Sequence, residues 1–226
     1  MSLTRPAHLW FSALCLSLGA CAFVSQEHIR GSGHAATDVR TVIPFDRVSI
    51  AGSFEVEVRS GDTSAPEVVI DADENLLPFI ETIVDSGTLK VRVRRGYRIS
   101  PRPRVLVRAA DLSRIGLAGS SDVVASGLSG ERFSIDIAGS GSVRADGDVG
   151  AVSVDIAGSG DVRIVGLQAR EASVSIAGSG DVELTSHESL KVSIAGSGDV
   201  RYAGNPRVSQ RVAGSGHIEQ LPTADL

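Results

Sequence analysis

Apolar and polar residues alternate along much of this chain with a period of two, the pattern of strands buried on one face. Phe54, Val56 and Val58 alternate with Glu55, Glu57 and Arg59. Phe45, Val48 and Ile50 lead into that run, Val68 to Ile70 forms another apolar stretch, and Val105-Leu106-Val107 a further one. Asp85-Ser86-Gly87-Thr88 lies between Ile83-Val84 and the alternating Leu89, Val91 and Val93, which predicts a hairpin. No segment has helical periodicity, and Pro78 limits the stretch from Asn75 to Ile80 to a single turn.

From Ile115 onward the pattern repeats itself. Ile137-Ala138-Gly139-Ser140-Gly141 recurs at 156–160, 176–180 and 194–198, with weaker copies at 117–121 and 212–216 and an outlying Ile50-Ala51-Gly52-Ser53. The first glycines fall at 119, 139, 158, 178, 196 and 214, in nearly equal steps. A fixed period of about 19 residues marks a solenoid. Val154 and Ile156 precede one glycine turn and Val162 and Ile164 follow it, so each coil carries two short aliphatic alternations around a corner. Glycine at that corner predicts positive φ. The aliphatics then point inward, and successive coils stack about 4.8 Å apart. The expected fold is all-β. An N-terminal strand and hairpin region (44–111) runs on into a parallel β-helix (112–221) whose coils have the period of the repeat. Its expected hand is right, by the bias of parallel crossover connections. An antiparallel meander with the same turns is the alternative, disfavoured because near-identical coils stack in register without alternating strand direction.

Residues 1–20 do not belong to this body. Arg5 precedes an uncharged run from Leu9 to Leu18, and Leu18-Gly19-Ala20-Cys21 ends it with small residues before a cysteine. That is the layout of a cleaved signal peptide (1–20). The four residues resemble the lipobox of bacterial lipoproteins, which implies a diacylated Cys21. The chain has two cysteines, and Cys15 leaves with the signal, so Cys21 has no internal disulfide partner. Ala22 after it implies the outer membrane, by resemblance to the sorting rule of enteric bacteria. Residues 21–43, with Gly31-Ser32-Gly33 and no sustained periodicity, are expected to be a tether.

Several elements in order resemble the head GIN domain family, also called the putative auto-transporter adhesin head. These are Phe45-Asp46-Arg47-Val48-Ser49-Ile50, Glu55 to Val58, Asp73-Glu74-Asn75-Leu76-Leu77, Gly87 to Val91 and the Gly-Ser-Gly-Asp-Val repeats. The resemblance covers about residues 44–208. It implies an all-β fold with β-helical coils in an exported protein, and it carries over no functional residues.

Two constellations hold candidate chemistry. After the Gly-Ser-Gly of successive coils comes Ser142, Asp161, Asp181, Asp199 or His217 in turn. Asp161, Asp181 and Asp199 are expected to stack one coil apart, where two solvated carboxylates repel by about 0.8 kcal/mol. Calcium-binding Asp repeats have a period of about nine residues and a Gly-Gly-x-Gly-x-Asp pattern, neither of which is found here. The column therefore reads as turn-forming Asp, with these three as the positions a metal would use, and no cofactor is expected. The second constellation is basic. Lys90, Arg92 and Arg94 share one face of a strand, and Arg102, Arg104 and Arg108 follow, in a chain of net charge −5. These six read either as edge protection by charge or as contacts to a polyanion.

Catalytic motifs are missing: Gly-Ser-Gly is not the Gly-x-Ser-x-Gly elbow, and no phosphate-binding loop occurs. The acidic balance argues against nucleic acid. The expectation is a non-enzymatic, lipid-anchored binding, adhesion-like or structural protein of the envelope. Its expected partners are the membrane, through the anchor, and an anionic glycan or surface protein. The alternative is a β-helix enzyme acting on polysaccharide.

Overall fold

The computed structural model describes residues 27–61, 65–94 and 97–222, so the signal segment and Cys21 lie outside the described residues. Ten short strands come first. They are β1 (Glu27–Arg30), β2 (Ala35–Thr41), β3 (Arg47–Gly52), β4 (Glu55–Ser60), β5 (Glu67–Asp73), β6 (Ile80–Asp85), β7 (Thr88–Val93), β8 (Tyr97–Ser100), β9 (Arg104–Ala109) and β10 (Arg114–Gly119). Four long ones follow: β11 (Asp122–Gly139), β12 (Ser142–Gly158), β13 (Asp161–Gly178) and β14 (Val182–Gly196). β15 (Val200–Ala203), β16 (Arg207–Gly214) and β17 (Ile218–Gln220) close the chain. A single 3-10 turn, Leu77–Phe79, stands where Pro78 limits the helix.

The strands wind into a parallel β-solenoid of about 5 turns. In the first wall β7, β3, β10, β11, β12, β13, β14 and β16 stack in parallel, with glycine on glycine from Gly52 through Gly119, Gly139, Gly158, Gly178 and Gly196 to Gly214. Past that corner, the second wall stacks β9, β4, the starts of β11 to β14, β15 and β17. A register break after Ala125 and Arg144 turns each coil into a short third wall, where Leu128, Gly147 and Leu167 align. The alternating aliphatics point inward as expected: Ile115, Ile135, Val154, Val174 and Val192 are at most 1% exposed.

The first-wall corner shows why glycine returns at the same place in every coil. Gly119, Gly139, Gly158, Gly178, Gly196 and Gly214 have φ between 115° and 142°, a region that side chains rarely adopt. A Cβ on any of them would run into the carbonyl of the glycine one coil before. The close approach lets the Ser140 N–H donate to the Gly119 carbonyl at 2.9 Å, a bond repeated at Ser159, Ser179, Ser197 and Ser215. The Gly-Ser-Ser variant at Ser121 has its own cause. Its buried hydroxyl accepts from the Phe54 N–H at 3.0 Å and donates to the Gly52 carbonyl at 3.1 Å, tying the corner to an irregular coil below.

Two expectations need correcting. Residues 27–41, expected as tether, contain β1 and β2, and β2 pairs antiparallel with β5 along its whole length. β2 buries none of its residues, so it has no apolar alternation to betray it. Arg40 fixes it from the side, donating to the Ile80 carbonyl at 2.8 Å and Thr82 Oγ1 at 3.0 Å. The solenoid also begins well before residue 112. The outlying Ile50-Ala51-Gly52-Ser53 is a full corner, and the β3–β4 coil lies between the β7–β9 coil and the coil of β10 and β11. Stacking order therefore departs from chain order.

The two ends of the stack differ. At one end antiparallel strands cover it, β6 on β7 and β5 on β9. At the other end β16 is exposed along its whole length.

Candidate functional site

The aspartate column forms beside the glycine corner. Asp181 Oδ1 accepts the Asp199 N–H at 2.9 Å, and Asp199 Oδ1 accepts the His217 N–H at 2.9 Å. Each carboxylate thus holds the main chain of the next coil, a longer-range version of an aspartate bonding its own turn. Asp199 is held below its ordinary pKa of 3.8, first by that backbone hydrogen bond and then by the His217 side chain. Where Ser142 replaces aspartate, its hydroxyl donates to Asp122 Oδ1 at 2.6 Å. Among the described residues no three His, Cys, Asp or Glu side chains converge to hold a metal ion.

The six basic candidates are divided. Lys90, Arg92 and Arg94 belong to the first wall, and Arg102, Arg104 and Arg108 to the second, at the covered end of the stack. Each meets a carboxylate: Lys90–Asp85 at 2.6 Å, Arg92–Glu81 at 2.9 Å, Arg94–Glu81 at 3.6 Å, Arg102–Asp122 at 2.8 Å, Arg104–Glu55 at 3.0 Å and Arg108–Glu67 at 3.0 Å. Lys90 holds the Asp85 carboxyl below its usual 3.8, chiefly by the hydrogen bond. These cations cross-link strands at the end of the stack, and their charge is met within the chain.

The outside of the first wall holds a different arrangement. In register, Ala118, Ala138, Ala157, Ala177, Ala195 and Ala213 form one flat column beside the corner. Four residues further from the corner runs a second column: Arg47, Arg114, Ser134, Ser153, Ser173 and Lys191. Arg132, Ala151, Glu171 and Ser189 align beside it. Between these last two columns lies a shallow groove of about 620 Å³ running across the coils, floored in part by Phe133, Val152 and Ala172. Arg47 leans on Asp46 at 3.2 Å and Arg114 on Asp136 at 2.7 Å. Arg132, Lys191 and Glu171 have no ion-pair partner among the described residues.

Motif search along the chain misses this groove because its residues are spaced by whole coils. The signal emerges when the repeats are aligned on their first glycine. Arg47, Arg114, Ser134, Ser153, Ser173 and Lys191 each lie five residues before it, and Arg132 and Glu171 seven before.

Known proteins place the fold. No curated protein matches the chain. The crystal structure of a putative adhesin from Bacteroides fragilis superposes with a TM-score of 0.70 at 19% identity, covering 85% of this chain and 100% of that one. A putative adhesin from Parabacteroides merdae gives 0.54 at 21% identity, with 87% and 100% covered. A putative lipid binding protein from Parabacteroides distasonis gives 0.51 at 26% identity, again with 87% and 100% covered. The family described as "Putative auto-transporter adhesin, head GIN domain" matches residues 44–206, and the chain belongs to that family.

Proposed function

We propose that this protein is a non-enzymatic, adhesion-like binding module of the cell envelope, held at the outer membrane by a lipid on Cys21. The observation that carries the reading is the first wall. Stacked, in-register coils make a stiff extended face, of the kind solenoids use for recognition, and its outer columns set alanines, serines and a few basic side chains around a shallow groove. The adhesin name of the family agrees with it. Among the described residues no helix is long and apolar enough to cross a membrane; what supports the anchor is the Leu18-Gly19-Ala20-Cys21 segment. A second reading, in which the face takes a lipid headgroup, is favoured by the neighbour named for lipid binding.

The anchor is tested by Cys21→Ser. The variant is expected to leave the membrane fraction, as unprocessed or unlipidated chain, after a high-salt wash. Retention of the variant with the outer membrane would show that something other than the lipid holds it. For the intact protein, each buried acyl methylene contributes about 0.8 kcal/mol to anchoring, so two chains hold firmly.

A further inference from the structure

We propose that the first-wall groove binds a linear acidic polysaccharide, with Arg132 and Lys191 as its two ionic contacts and serine hydroxyls between them. This rests on the reading of the chain as an envelope binding module and names the ligand class of that module.

Charge separates the groove from the six paired cations at the covered end of the stack. Its walls carry Arg47, Arg114, Arg132 and Lys191 against a single acid, Glu171, in a chain of net charge −5. Among the described residues Arg132 and Lys191 have no ion pair, whereas Lys90, Arg92, Arg94, Arg102, Arg104 and Arg108 each face a carboxylate. An incoming anion must compete with an internal partner at the second set and meets an open cation at the first.

Geometry selects a polymer. Arg132 stands on β11 and Lys191 on β14, three strand spacings apart and two residues apart along the strand, or about 16 Å. No small anion bridges that distance, but a chain with acidic groups on separate units does. The coils are in register, so the path crosses obliquely from the Arg132 column to the Lys191 column. Ser153, Ser173 and Ser189 line it, and a hydroxyl both donates and accepts, as sugar hydroxyls do. Phe133 is on the floor but only 2% exposed, so no aromatic face is offered for stacking bases, which argues against single-stranded nucleic acid. The recognition is ionic and hydrogen-bonded.

The test uses the whole purified chain in mild detergent, with polygalacturonate as the acidic linear probe and neutral dextran as its control. Vesicles of phosphatidylcholine with phosphatidylglycerol form a separate arm, run after dilution below the detergent's critical micelle concentration. Wild type is expected to bind polygalacturonate and not dextran, with affinity falling as salt screens charges beyond about 8 Å at physiological ionic strength. Arg132→Glu with Lys191→Glu is expected to weaken binding about tenfold. Arg104→Ala with Arg108→Ala is expected to leave it within about twofold, since their charges are already paired. Glu171→Gln removes the lone acid and is expected to tighten binding about threefold, a gain that misfolding cannot produce. Equal binding by wild type and the Arg132/Lys191 variant, or loss in the Arg104/Arg108 variant alone, overturns the groove while leaving an anion-binding module in place. The lipid on Cys21 inserts into vesicles by itself, so vesicle binding counts only where Arg132→Glu with Lys191→Glu reduces it; such binding without binding of polygalacturonate overturns the polysaccharide assignment in favour of lipid. If neither probe binds, the ligand class is wrong, and the binding-module reading survives only if the Cys21→Ser chain, which lacks the lipid, still binds washed envelopes.

Discussion

At the residue scale, the fold depends on atoms that are missing. Gly178 combines φ of 139° with a carbonyl, that of Gly158, in the place where a Cβ would stand. Gly178→Ala is expected to cost about 3 kcal/mol, from backbone strain together with displacement of the coil below, and a urea unfolding curve measures it. Gly33, also at positive φ but with open space where its Cβ would be, supplies the comparison: the same substitution there carries strain alone and is expected to cost about 1 kcal/mol. The aspartates act through pH. Asp199 is held below 3.8 in the folded chain by the His217 N–H. Its ionised form therefore stabilises the last coils at pH above about 4, the usual aspartate value, and that contribution disappears as pH falls through the lowered folded value. Thermal melting between pH 6 and pH 2.5 is expected to show an acid-side decline that is reduced in Asp199→Asn. An unchanged profile would mean the bond to the next coil does not report on stability.

At the scale of elements, what could be read in advance follows from what each strand buries. β12 and β13 place Val154, Ile156, Val174 and Ile176 inside and serine or aspartate outside, so the period of two and the longer period of the coil are both plain in the letters. β2 buries nothing and is held by an arginine and by backbone pairing, so its letters resemble a linker. The interleaved β3–β4 coil shows only one copy of the corner motif, at a distance from the others. The groove is legible only by column, because a binding surface made of parallel strands collects one residue from each coil. The same logic ranks truncations. Ile156, 3% exposed between two coils, is expected to lose about 3 kcal/mol on change to alanine. Val212, on the outermost strand and 40% exposed, is expected to lose less than about 1 kcal/mol. Similar losses at both sites would mean that another strand covers β16 in solution. β14 adds a local adjustment. Its coil is short, the step from Gly178 to Gly196 being smaller than that from Gly158 to Gly178. Thr185 and Ser186 enter the interior there, their hydroxyls donating to the Val165 and Ser189 carbonyls at 2.8 and 2.9 Å. Side-chain donors thus meet main-chain carbonyls inside the tighter bend, as buried polar groups require.

At the scale of the whole molecule, the solenoid has a polarity. One end is finished by strands that run against the stack, with its arginines and lysine tied to carboxylates. The other ends on β16, whose Arg207 precedes its two valines and whose Gln210 and Arg211 lie between them. Charged and amide side chains on an open edge discourage pairing with other chains. The groove lies between the two ends of the first wall, from β3 to β14.

A chain that emerges N-terminus first delivers β3 and β4 well before any of the strands they stack against. β7 begins at Thr88, β9 at Arg104 and β10 at Arg114, so the earliest coil waits with bare edges until those segments arrive. Closing such distant pairings is slow, because the entropy of a long loop is lost before the contacts form. Once Gly119 has joined Gly52, the situation reverses. Each later coil finds its template already built and only one repeat behind, and assembly becomes a rapid zipper. The hazard of pairing with the wrong chain is thus concentrated in the first half of the sequence, the part with the least repetition, while the near-identical repeats, which would otherwise be the readiest to pair out of register, always arrive onto a finished edge.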